Sequence, residues 1–227
     1  MYPILVQRLK VLFVAVPIAL TIGMVTRDAS AATLQFHLSE EFSGATQPEG
    51  VAPWLVATFA DHGSGEVRLT IDDSGLSGCE WVSGLYFNVN PTVELNALSF
   101  AFFANPTDMI LADITVGTDA FRADGNGKYD VLLDLPPPGA NQFAAGESVV
   151  VDISLVGGGV AATDFWYSSK EGGGNGTWIT AAHVQGIGED GAESGWIGSR
   201  ALVPEPSVVI SLLVAGVLLA ALRNRSQ

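Results

Sequence analysis

Strict alternation of apolar and polar side chains is the feature that most limits how this chain folds. Leu34, Phe36 and Leu38 alternate with Thr33, Gln35 and His37; Val67, Leu69 and Ile71 with Glu66, Arg68 and Thr70; Leu85, Phe87 and Val89 with Tyr86 and Asn88. A period of two sends every second side chain to one face of an extended strand, so each run reads as a strand with one buried face. Further strand candidates are Trp54–Ala60, Leu98–Phe103, Ile110–Val116, Tyr129–Leu135, Ser148–Leu155, Asp164–Ser168 and Trp178–Gln185. Turn-formers separate them, among them Asp73-Ser74-Gly75, Asn90-Pro91, Asn105-Pro106, Gly125-Asn126-Gly127 and Pro136-Pro137-Pro138-Gly139. No stretch between the chain ends sustains a helical period, and no repeat of fixed length is present. The expected fold is all-β: an antiparallel β-sandwich, jelly-roll-like, with strand order left open.

The two ends follow another pattern. Arg8 and Lys10 precede an apolar run from Val11 to Val25, and Ala29-Ser30-Ala31 supplies small residues. This is the layout of a secretory signal, with Ala29 and Ala31 in the small pockets of signal peptidase and the cut after Ala31 or, second, after Ala32. An uncleaved anchor is the alternative. At the other end Val203-Pro204-Glu205-Pro206 leads into an apolar run from Ser207 to Leu222, closed by Arg223-Asn224-Arg225. As a helix that run would be about 24 Å long, short against a hydrocarbon core of about 30 Å. The arginines are expected to stay on the cytoplasmic side, and Pro206 suits the first turn of such a helix.

Pro204, Glu205 and Pro206, the apolar run, and Arg223 and Arg225 together resemble a PEP-CTERM sorting signal of Gram-negative bacteria. The resemblance covers the last 24 residues or so. It implies recognition by a membrane-embedded exosortase, processing near Pro-Glu-Pro, and only transient anchoring in the inner membrane. A plain C-terminal anchor is the alternative. The domain organisation expected is thus a signal peptide over 1–31, a β-sandwich ectodomain over 32–203 and a sorting segment over 204–227. The middle segment also resembles an ectodomain type found on proteins with this tail, through Ala52-Pro53-Trp54-Leu55, Ala123-Asp124-Gly125-Asn126-Gly127, Ala181-Ala182-His183-Val184-Gln185 and Ser194-Gly195-Trp196-Ile197. That type implies no established activity.

Charge narrows the partners. Between Ala32 and Val203 stand 22 acidic residues, opposed only by Arg68, Arg122, Lys128, Lys170 and Arg200, a net charge of −17. Such a field repels nucleic acid, so no nucleic-acid partner is expected. With Cys79 as its single cysteine the chain forms no internal disulfide, and the thiol reads as buried and structural.

Candidate chemistry is sparse. Asp124, Asn126 and Asp130 bear oxygens at loop-like spacing around tight glycines, a pattern able to wrap calcium, although Lys128 stands where an acid would help. The competing reading is a hairpin with Asn126-Gly127 as its type I′ turn. His183 reads as a core or hydrogen-bonded histidine, and His62-Gly63-Ser64-Gly65 as a polar turn rather than a nucleophile elbow. Asn175-Gly176-Thr177 matches a sequon and reads as part of a flexible Gly172–Gly176 loop. Trp54, Trp81, Trp166, Trp178 and Trp196 belong to the core or, where exposed, could stack on sugars. The function expected is that of an exported surface or extracellular-matrix protein, non-enzymatic, with a structural or interaction role. The alternative is a carbohydrate-binding module associated with exopolysaccharide.

Overall fold

Alternation becomes burial strand by strand. In the computed structural model, Leu55, Ala57 and Phe59 are fully buried along one strand, Val67, Leu69 and Ile71 along the next, and Val149, Val151 and Ile153 along a third, while their polar neighbours are not. Residues 31–105, 113–136, 142–174, 176–200 and 202–203 are described. The chain divides into two units, Met1–Ser30 and Ala31–Gln227, and every described residue belongs to the second. The strands are β1 (Thr33–Leu38), β2 (Glu40–Glu41), β3 (Leu55–His62), β4 (Glu66–Asp72), β5 (Trp81–Phe87), β6 (Leu98–Asn105), β7 (Asp113–Ala123), β8 (Asn126–Asp134), β9 (Phe143–Ala144), β10 (Ser148–Leu155), β11 (Thr180–Ile187), β12 (Glu193–Ser199) and β13 (Leu202–Val203).

They form two sheets whose pairings are all antiparallel. One has the order β13-β1-β3-β4-β10-β6; the other runs β2-β12-β11-β5-β8-β7, with β9 also on β5. The fold is all-β, and the two sheets share one apolar core, consistent with a β-sandwich. Phe59 of the first sheet lies 5.3 Å from Phe87 of the second, edge to face, and stacks on Phe165 at 4.7 Å. Emptying such a site by truncation to alanine costs about 3–5 kcal/mol. On the outer side of the first sheet Arg68 holds Asp152, directly opposite on β10, through two bonds of 2.7 and 2.8 Å. The hydrogen bond to Arg68, more than its charge, sets the Asp152 carboxyl below its usual range.

Several sequence expectations need correcting. Asp164–Ser168 is not a strand: Ala162–Phe165 is a 3-10 turn. The Asp164 side chain accepts from the Ala161 N–H at 3.0 Å and from Asn90 Nδ2 at 3.0 Å, tying the backbone into a turn that swings Phe165 into the core. Cys79 is exposed, not buried. It sits in a turn beside Gly78 (φ 61°), and the segment buries Glu80 instead, whose carboxylate accepts from the N–H groups of Glu49 and Ser77. The hairpin between β7 and β8 turns at Asp124-Gly125, with φ of 47° and 72°, not at Asn126-Gly127. Two consecutive positive φ values give a type I′ turn, and Asp-Gly meets that demand as Asn-Gly would. The strand beginning at Glu193 was not foreseen, since Ser194-Gly195 and Gly198 dilute its apolar positions.

His62-Gly63-Ser64-Gly65 is the β3–β4 turn, with Gly63 and Gly65 at positive φ. The expected signal segment with Ala29, the sorting residues Pro204, Glu205, Pro206, Arg223 and Arg225, and Asn175 lie outside the described residues. Among the described residues no helix is long and apolar enough to cross a membrane.

Candidate binding cleft

Where β5 ends, the chain runs on through Asn88, Val89, Asn90 and Pro91 past the middle of the β7–β8 hairpin. That hairpin is irregular there. Val116 pairs with Val131 and Phe121 with Tyr129, so residues 117–120 of β7 bulge out opposite the single residue Asp130. Asp119 within the bulge has φ 54°, a left-handed conformation that aspartate tolerates better than most residues.

Asp130 holds this region together. Its Oδ1 accepts from the Asp119 N–H at 2.9 Å and its Oδ2 from the Val89 N–H at 3.2 Å. One carboxylate therefore fixes the bulge and the segment leaving β5. The segment after the 3-10 turn forms the other wall. Lys128 and Lys170 pair main chain to main chain, at 2.8 and 3.2 Å, and Ser169 binds Trp178 through two further bonds. Gly127, with φ 70°, is needed here because any Cβ on it would strike the Ser169 side chain. The Lys170 ammonium reaches Asp119 Oδ2 at 2.8 Å. This hydrogen bond, helped by the Asp119 charge, raises the Lys170 ammonium above its ordinary range.

Between these walls lies a cleft of about 370 Å³ whose lining includes Asn88, Asn90, Asp119, Asp130, Tyr167 and Lys170, with Val89, Val93 and Leu95 as apolar ground. Its volume falls at the small end of ligand sites. Tyr167 and its neighbour Trp166 are 37% and 53% exposed. Asn90 is preset: its Nδ2 donates to Asp164, while its Oδ1 accepts from the Thr92 N–H and hydroxyl. An aromatic ring beside fixed amides and carboxylates suits a ligand with both an apolar face and many hydroxyl groups.

The structure does not assemble the expected calcium set. Asp124 is exposed in the turn, and Asn126 is buried with its Nδ2 donating to the Asp124 carbonyl at 3.2 Å. Asp130 lies four residues further along β8, about 13 Å at strand rise, and its two oxygens face main-chain donors. Calcium needs its oxygens within about 2.6 Å of one point. Among the described residues no three of His, Cys, Asp or Glu gather as a metal group.

The tryptophans divide. Trp54, Trp81 and Trp178 are buried, Trp178 stacking on Phe42 at 4.6 Å with Arg200 over its ring at 3.9 Å. Trp196 is half-buried and stacks on His183 at 4.4 Å. His183 Nδ1 shares a bond of 2.9 Å with the Ser83 hydroxyl, the hydrogen-bonded role expected for it, and burial lowers its pKa. Only Trp166 of the five is exposed. Sequence reading missed the cleft because its key residue, Asp130, acts through partners 11 and 41 positions away. Compared with known proteins, the chain matches no family model, no curated protein and no solved structure.

Proposed function

We propose that the protein is exported by signal peptidase cleavage and sorted through its C-terminal tail by an exosortase-type enzyme. It then works at the cell surface or in the extracellular matrix by binding, not by catalysis. In this reading the ectodomain is a jelly-roll-like sandwich, flanked before processing by a signal helix and a C-terminal transmembrane helix that anchors it briefly in the inner membrane. The signals that support export are Ala29 and Ala31 at one end, and Pro204, Glu205, Pro206, Arg223 and Arg225 at the other. Intact-mass measurement of the native protein from cells and medium tests this. Loss of residues 1–31 and of the tail is expected; a mature chain that retains Ser207 to Gln227 leaves only a membrane anchor.

The cleft favours the carbohydrate-binding form of this role. Tyr167 beside Asn88, Asn90 and Asp119, with exposed Trp166 next to it, is the observation that supports it. The volume suits one or two sugar rings of an exopolysaccharide. Titration with fragments of bacterial exopolysaccharides, followed by tryptophan fluorescence, should give saturable binding that Tyr167→Ala abolishes. A flat response across the panel overturns the carbohydrate reading and leaves a structural or protein-binding role.

A further inference from the structure

The first residues of the described chain carry an arrangement that the cleft does not use. The Ala32 N–H donates to Asp61 Oδ2 at 2.8 Å, and the Asp61 N–H donates back to the Ala32 carbonyl at 2.8 Å. Asp61 stands near the end of β3, one position beyond the last β1–β3 pair, Thr33↔Ala60. Its other oxygen, Oδ1, accepts from the Ala162 N–H at 2.7 Å, and Ala162 is fully buried. The carboxylate is thus held from inside and presented to the nitrogen of residue 32. Ala31 is exposed, whereas Ala32 is half-buried and packs against the core. Among the described residues, packing against the core therefore starts at Ala32, just past the Ala31–Ala32 peptide bond.

We propose that Asp61 is a receptor for a new N-terminus created when that bond is hydrolysed, an inference that rests on the export reading above. Water adds across the peptide bond, leaving a carboxylate on Ala31 and an α-amine on Ala32 that takes up a proton at neutral pH. The bond from an uncharged N–H to the Asp61 carboxylate then becomes an ammonium–carboxylate bond, ionised on both sides, with no movement of the chain. Ionising the donor as well adds the attraction of opposite charges to a bond that the carboxylate already strengthens. Removal of the leader is in this way recorded as added stability of the domain. A cut after Ala32 would instead delete the residue that Asp61 grips.

The full-length gene is expressed in an exporting host, and the mature protein is sequenced from its N-terminus and unfolded in urea. The same protein is then acetylated selectively at its α-amine, which keeps an N–H but removes the charge. The sequence should begin at Ala32. Acetylation should lower the folding equilibrium constant about tenfold, and in Asp61→Asn it should change it far less. A mature chain beginning at Ala32 whose stability ignores acetylation overturns the receptor while leaving export intact. A mature chain beginning at any other residue overturns both the proposed cut and the receptor. Should Asp61→Asn not fold, the acetylation result on the unmutated chain still decides between these outcomes.

Discussion

Asp130 within β8 and Asp73 just past the end of β4 do the same job, and they do it at different cost. Each side chain accepts main-chain N–H groups from segments distant in sequence: Asp130 from Asp119 and Val89, Asp73 from Glu147 at 2.6 Å. Asp130 is half-buried at the cleft wall, and both of its oxygens are served. Asp73 is fully buried, and its Oδ2 has no hydrogen-bond partner among the described residues. Burial above all, then the nearby Glu147 carboxylate, push the Asp73 carboxyl up to about 8 against the lowering effect of the hydrogen bonds it accepts. A carboxylate is an effective clamp where donors and water meet both oxygens; buried with one oxygen idle, it must give up its charge.

The sharpest way to break the comparison is Asp130→Ala. It strands the Asp119 and Val89 N–H groups together, at an expected loss of about 3 kcal/mol in urea unfolding. Loss of ligand binding should accompany it, since bulge and β5 exit both line the cleft. A loss below about 1 kcal/mol would mean that the bulge is held by its own backbone preference. Next in size is Gly127→Ala, at about 2 kcal/mol, from a positive φ plus a clash with Ser169. Gly125→Ala serves as its control. It shares the positive φ (72°) but meets nothing within 4 Å, so about 1 kcal/mol is expected.

Asp73→Asn sharpens the other half. The folded chain keeps a proton on Asp73 up to a pH of about 8, whereas the unfolded chain loses it near the ordinary value of 3.8. This group's contribution to stability is therefore highest below about pH 4, falls as pH rises to about 8, and then levels off. The amide cannot ionise and also leaves one atom without a partner. It should match the parent near pH 4 and become increasingly the more stable of the two as pH rises, with the gap levelling off above about pH 8. Equal pH slopes in the two proteins would show that Asp73 is not the group responsible.

This contrast also explains what the sequence revealed. The runs Val67–Ile71 and Val149–Ile153 were legible because burial there follows a local period of two, as their buried residues bear out. The Asp124-Gly125 turn was legible as a turn and misplaced by two residues, because Asn126-Gly127 carries an equally good local signal. Asp130 read as a calcium ligand from its neighbours in sequence, when its partners lie in Val89 and Asp119. Asp164 failed likewise: local pattern suggests a strand, while bonds to Ala161 and Asn90 make a turn. Contacts between distant segments leave no period behind them, and the cleft is made of such contacts.

The smallest effect expected is that of Lys170→Met. Lys170 and Asp119 are bonded at 2.8 Å, but the side chains are 66% and 29% exposed, so water and salt compete with the pair. The main-chain bonds between Lys170 and Lys128 do not depend on the side chain. Stability should therefore change by no more than about 0.5 kcal/mol, and that change should vanish in high salt. Binding is the more sensitive readout, because removing the ammonium frees an Asp119 carboxylate that faces the cleft and strengthens its negative field. A neutral sugar should then bind nearly as before, and an anionic one more weakly. A stability loss above about 1 kcal/mol would place the ion pair beside Asp130 as a second clamp on the bulge, and the single-carboxylate account of the cleft wall would have to be given up.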